Sequence, residues 1–226
     1  MLISNIDDLQ SFLSRWYGLN DIGLASGLAE PHPNVPEALA IAWTKLRLLW
    51  VGYEEWRRSG YCSPLACQDG LAAPGQLVVR DGYVHVVFEN QGNWSIGYKE
   101  GDNADDPEVY SNFLELEIGG TGFVPLGCRL SELIITSALT ETVFFGSINT
   151  KEEANDLAAE CDCTIWRGHY HSAIGYGQIY EGPSHTIKTS LDQRLLALFW
   201  KDKFSGFLAK SSSGREKLQL LLPDLS

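Results

Sequence analysis

No run of apolar residues in this 226-residue sequence is long enough to cross a bilayer. The richest, LLALFW, is stopped by Lys201, Asp202 and Lys203, whereas a spanning helix needs about 20 residues. The N-terminus, MLISNIDDLQ, lacks the basic start and apolar centre of a secretory signal. Cysteines are few: Cys62, Cys67, Cys128, Cys161 and Cys163 make an odd set of 5 at irregular spacing. That pattern fits reduced thiols better than a disulfide framework. Together these absences predict a soluble, cytoplasmic protein. Positive charge is also scarce, with 17 Lys and Arg against 29 Asp and Glu and a formal net charge of −12. Such a surface repels phosphate backbones and excludes DNA, RNA and anionic membranes as expected partners, while leaving a basic protein open. The same charge also serves solubility alone. The sequence contains no GxSxG, P-loop, HExxH or Cys-x-x-Cys, and no GxGxxG after a strand. Any active site would therefore be unmarked, and no cofactor is expected.

What is present has the balance of a globular domain: 44% hydrophobic and 20% charged residues. Ile6, Leu9, Phe12, Leu13 and Trp16 recur at helical spacing, with Ser4 or Asn5 as cap and Gly18 as stop. A Gly- and Pro-containing loop, LASGLAEPHPN, precedes a second helix opened by Pro36, with Leu39, Trp43, Leu46 and Trp50 as its buried stripe. After Cys67 the period changes to two. LVVRDGYVHVVF carries an Asp81-Gly82 step between β-branched runs, a strong hairpin signal, and NWSIGY supplies a third strand. Tyr83, His85 and Val87 should share one face, and Val84, Val86 and Phe88 the other. An acidic loop, KEGDNADDPEVY, should lead to a strand from Phe113 to Ile118 and a helix from Ser131 to about Thr142. Thr150 and Glu153 form a capping box. Beyond it CTIWRGHYHSAIGYGQIYEG reads as one or two strands, and LDQRLLALFWKD as either strand or helix. SSSG reads as a link and REKLQLLL as a closing helix. The expected class is α+β: a largely antiparallel sheet built as a hairpin and meander, with helices packed on one side.

The helix start at Val35-Pro36, the turn Glu89-Asn90-Gln91 and the step from Asp106-Pro107 to Tyr110 occur in an order and spacing that resemble the SUKH superfamily. That superfamily includes the fungal Smi/Knr cell-wall regulators and many bacterial immunity proteins. The resemblance covers roughly Val35 to Thr142. It departs in a long insertion, YEEWRRSGYCSPLACQDG, and in the C-terminal third, which does not align with the family pattern. It implies one α+β domain over 1–226, with a SUKH-like core at about 35–142 and an extension at 143–226. It further implies a non-enzymatic protein that neutralises a toxin, often a nuclease or deaminase, by binding it.

Several residues have both a functional and an architectural reading. Asp102, Asp105, Asp106 and Glu108 can meet the Lys and Arg of a basic toxin, or serve as turn and cap residues. Glu89, Asn90 and Gln91 make a polar corner, which usually bonds its own backbone. Trp56, Arg57 and Tyr61 combine the aromatic and Arg types enriched at interfaces, against a default of core packing. Cys161, Cys163, His169 and His171 carry zinc-ligating atoms, but one-residue spacing falls short of the usual two to four. Two buried thiols and two surface imidazoles are the alternative, and no metal is expected. His85, alone among valines, reads as a satisfied core histidine rather than a base.

Overall fold

The computed structural model describes residues 2–23, 35–59, 62–113, 122–148, 150–170 and 183–222. Helix α1 (Ile6–Tyr17) starts where the Asn5 side chain accepts the Asp8 N–H, and it ends where Gly18 turns left-handed. Helix α2 (Glu37–Lys45) breaks at Leu46 into a 3-10 turn (Arg47–Trp50), so the expected stripe is buried but not on one continuous helix. Part of the insertion forms helix α3 (Tyr53–Ser59).

The first sheet contains β1 (Asp69–Leu71), β2 (Val78–Arg80), β3 (Tyr83–Glu89), β4 (Ser95–Lys99), β5 (Glu108–Ser111) and β6 (Val124–Arg129). Its order is β1-β3-β4-β5-β6, all antiparallel, and β2 continues the edge that β1 forms along β3. Asp81 and Gly82 both have positive φ, 55° and 78°, as a two-residue hairpin turn of the primed type requires. The expected alternation along β3 fails midway. A bulge lies between His85, opposite Gly97, and Val87, opposite Ile96, so Val86 and Val87 are both fully buried. The end of the expected acidic loop is strand β5. The strand expected at 113–118 falls, from 114 on, outside the described residues.

Helix α4 (Leu130–Phe145) follows, then α5 (Lys151–Ala158), a second antiparallel sheet and α6 (Ser211–Leu221). The second sheet has the order β10-β9-β8-β7, from β7 (Cys163–Gly168), β8 (His185–Thr189), β9 (Leu195–Trp200) and β10 (Lys203–Lys210). LDQRLLALFWKD is thus a strand, and SSSG is the first turn of α6 rather than a link. There the Ser211 N–H bonds the Arg194 carbonyl at 2.9 Å, which holds the turn against the sheet. The Thr150 hydroxyl donates to the Glu153 carboxylate at 3.3 Å, and Glu153 also pairs with Lys210. The expected reciprocal capping bonds to the backbone are accordingly not made.

Every residue of α4 except Ser131, Glu132 and Phe144 is buried, because the helix packs against β1, β5 and β6 on one side and β7 to β10 on the other. A helix apolar all round belongs inside a core. One cluster of buried side chains runs from Ile3 and α1 through α4 to Trp166, Ile187, Leu198 and Leu218, so the C-terminal strands share the core of the first sheet. The architecture is mixed α+β with two antiparallel sheets. No described helix is long and apolar enough to cross a membrane.

Candidate functional site

Helix α4 has an acidic feature near each end. At its N-terminus α1, α2 and α4 all begin beside a groove of about 520 Å³. Asp7, Glu37, Asp105, Asp106 and Glu132 line it together with Ala38, Ile41, Ile135 and Trp166. Helix starts expose unsatisfied N–H groups and a partial positive charge, and carboxylates are stable there. Asp106 takes that role literally: its carboxylate accepts the Ser131 N–H at 2.8 Å and the Ser131 hydroxyl at 2.7 Å. Glu132 accepts the Arg129 N–H at 2.8 Å. Asp7 pairs with Lys45 at 2.8 Å, and Arg167, the groove's cation, is engaged by Asp202 at 3.3 Å. Glu37 and Asp105 are exposed and have no ion-pair partner among the described residues. The groove thus sets unneutralised carboxylates around an apolar floor.

The four expected carboxylates therefore separate. Asp105 and Asp106 line the groove, with Asp106 also acting as a cap. Asp102 accepts the Ala104 N–H at 3.0 Å, a turn role, and Glu108, half-buried on β5, accepts the Tyr110 hydroxyl at 2.7 Å. Trp56 is half-buried over Gly70, where any Cβ would collide with its ring, and it packs on Tyr53. Arg57 bonds Gln76, which in turn reaches Glu54. Tyr61 lies outside the described residues. Cys161 is buried, Cys163 and His169 are half-buried, and His171 lies outside the described residues. No group of three or more metal-ligating side chains occurs among the described residues. His85 bonds Ser95 at 2.9 Å and the Arg80 carbonyl at 3.3 Å, a satisfied imidazole.

The second feature lies toward the C-terminal end of α4: a cavity of about 320 Å³ between the sheets, lined by both of them and by the helix. Behind it Glu141, fully buried on α4, accepts the backbone N–H groups of Cys67, Gln68 and Asp69, the last two at 2.9 and 3.0 Å. This latch fixes the chain entering β1, and so places the Asp69 carboxylate at the cavity wall, where the Tyr170 hydroxyl donates to it at 3.1 Å. Burial and mutual repulsion push Glu141 up to about 8, while burial pushes Asp69 up to about 7 and Glu89 adds repulsion. Two carboxylates this close titrate as a pair.

His185 also lines the cavity, but it is held at both nitrogens. Trp200 donates to Nε2 at 3.2 Å, so the ring proton sits on Nδ1 and faces the Ser184 hydroxyl at 2.9 Å. That hydroxyl donates to the Tyr170 carbonyl at 2.6 Å and accepts the Tyr170 N–H at 2.9 Å. Burial holds the imidazole neutral, down to about 3. With no free lone pair, His185 cannot accept a proton without breaking this chain, so it positions Trp200 and Tyr170.

Sequence reasoning missed Asp69, Glu141 and Tyr170. One signal was present: Glu141 is the only charged residue from Leu133 to Phe145, and an isolated charge on an otherwise apolar helix marks a buried polar role. Asp69 and Tyr170 lie 101 residues apart in the chain, and no local pattern connects them. Comparison with protein-family profiles, curated proteins and solved structures finds no match to this chain.

Proposed function

We propose that this chain is a non-enzymatic binding protein of the SUKH type, acting in the cytoplasm as an immunity protein that neutralises a toxin with a basic surface. The groove at the starts of α1, α2 and α4 carries the reading. Glu37 and Asp105 stand without ion-pair partners among the described residues around the apolar floor of Ala38, Ile41, Ile135 and Trp166. A Lys or Arg side chain has the matching form, an aliphatic stem with a charged head. The net charge of −12 adds long-range attraction, and complementary fields raise association rates by roughly 10 to 1,000 fold. Further support comes from the helix, hairpin, meander and helix order over about 35–142, which agrees with what the resemblance implies.

The test is retention of a partner by the tagged protein from its native cells, followed by charge reversal. A toxin-domain protein retained at equal stoichiometry, whose association slows at least tenfold with Glu37→Lys plus Asp105→Lys and slows likewise in high salt, is the expected result. A toxin partner that binds this double variant unchanged would move the contact elsewhere on the surface, and the absence of any stoichiometric partner would sink the immunity reading.

A further inference from the structure

The aromatic rings around the cavity between the sheets are set at steep angles to one another. Trp94 meets Tyr170 at 89°, Trp200 meets Phe207 at 64°, and Phe144 meets Phe207 at 68°. The hydrogen bond to His185 holds Trp200 in place. Asp69 and Glu89 join these rings in the wall, and neither Lys nor Arg is among the described lining residues. Thr140 also lines the cavity, 2% exposed, and its hydroxyl has no hydrogen-bond partner among the described residues. Thr136 and Thr142 on the same helix bond back to the carbonyls of Glu132 and Ala138 at 2.8 and 2.7 Å, whereas the hydroxyls of Thr140 and Ser137 are left without partners among the described residues, and of these two only Thr140 lines the cavity. A buried hydroxyl without a partner is unfavourable, and a ligand that bonds it removes that cost.

We propose that this cavity is a binding site for a small organic cation, an alkylguanidinium or alkylammonium group. The carboxylates would take the charge, the ring faces would take the cation and its stem, and Thr140 would supply a further polar contact. Rings attract a cation within about 6 Å of their centroids. A carboxylate near the C-terminal end of a helix stands against the helix dipole and gains from a counter-ion. The volume of about 320 Å³ lies at the lower end of small-ligand sites, which run from about 300 to 1,000 Å³; it fits one such group and excludes a folded domain. The groups facing Asp69 are Glu141 from α4, Glu89 from β3, Tyr170 and His185, and the last two stay neutral near pH 7. Affinity should accordingly rise from pH 6 to pH 8 as Asp69 ionises.

The test is calorimetric and tryptophan-fluorescence titration of the full chain with agmatine, with N-acetyl-arginine methylamide and with its neutral counterpart N-acetyl-citrulline methylamide. The expected result is saturable one-to-one binding of agmatine at least tenfold tighter than that of the citrulline compound, weakened tenfold or more by Asp69→Asn. Glu89 is half-buried in the cavity wall, and its carboxylate accepts the Asn93 N–H at 3.0 Å, a bond that the carbonyl oxygen of Gln can also accept; Glu89→Gln therefore keeps the test readable if Asp69→Asn does not fold, and it should weaken binding in the same direction. Binding of both arginine-like probes would assign the cation to a side chain of a polypeptide, and of agmatine alone to a free metabolite. Equal binding of the citrulline compound, or no saturable binding of either cation, would overturn the proposal. The groove variant Glu37→Lys plus Asp105→Lys should leave agmatine binding unchanged, so the two sites fail or stand separately.

Discussion

The two acidic regions occupy opposite ends of the same helix, and their energetics are opposed. From Glu132 to Glu141 is roughly 14 Å along α4 at 1.5 Å per residue. In the groove, carboxylates sit at three helix starts, facing water, where the dipole favours them and they serve as caps. In the core, Glu141 and Asp69 are buried toward the other end of the helix, with each other as neighbours. An acidic surface is inexpensive to maintain. A buried acid pair has to be held by specific donors, and here the donors are the N–H groups of the chain entering β1. The same kind of side chain therefore gives an adaptable surface at one end and a fixed framework at the other.

The largest expected effect tests the framework. Glu141→Ala leaves the N–H groups of Cys67, Gln68 and Asp69 without their acceptor inside the core, and each buried donor left unsatisfied costs about 1–3 kcal/mol. Urea denaturation at pH 7 measures it. A loss under about 1 kcal/mol would mean that water replaces the carboxylate and that the two ends of α4 do not differ in rigidity.

The next effect is a dependence on pH of unusual sign. Asp69 and Glu141 have native values pushed up to about 7 and about 8, against about 4 for exposed carboxyls. Between those limits the folded chain holds more protons than the unfolded one, so this contribution is complete below about pH 4 and is lost as pH rises through 7 to 8. At about 1.4 kcal/mol per pH unit for each group over its ionising range, stability should fall by on the order of 6 kcal/mol between pH 5 and pH 8, and Asp69→Asn should flatten the curve. Stability that holds level or climbs over that range would mean the pair stays ionised at no cost.

Groove substitutions should be milder. Asp106→Ala removes the bonds to Ser131 and should cost about 1 kcal/mol, the usual value of a lost helix cap. Asp105→Asn should change stability by under about 0.5 kcal/mol in thermal melts, as an exposed surface change does. A large loss at Asp105 would erase the distinction between surface and framework.

The contrast also explains what could be read from the sequence. The Asn5 and Gly18 caps of α1, the Asp81-Gly82 hairpin and the meander follow local rules, with periods of 3.6 and 2 and short-range turn chemistry, and they appear where expected. Asp105 and Asp106 stood out because acids clustered before a Pro are themselves a local pattern, whereas the bonds of Asp106 to Ser131, 25 residues on, are not. The expected partner residue Asp102 and the turn at Ala104 show the same chemistry used only for the backbone. The second sheet was less legible. Its central strand β9, LLALFW, is buried and reads as an apolar run without alternation, where length alone does not separate strand from helix. SSSG was read as a link from composition, whereas contact with the Arg194 carbonyl sets its helical start. The cavity depends on pairings such as Asp69 with Tyr170, which only tertiary packing creates.

The smallest effect concerns reactivity and reports on the latch. The exposed Cys62 thiol is pushed down to about 7, mainly by its hydrogen bond with Cys67 and further by Lys217. Burial pushes Cys67 up, with Cys62 and Glu141 adding to the shift, and burial pushes Cys128 and Cys161 up to about 12. Since the thiolate is the reactive form, iodoacetamide at pH 7 should label Cys62 first, by peptide mass spectrometry, and leave Cys128 and Cys161 untouched over the same time. Cys67 is the informative position, because its N–H is one of those held by Glu141. If the latch fixes this segment, Glu141→Ala should bring Cys67 labelling toward the rate of Cys62 while Asp106→Ala leaves it slow. Equal acceleration by both variants would mean that the two ends of α4 loosen together, and the separation between adaptable surface and fixed framework would fail.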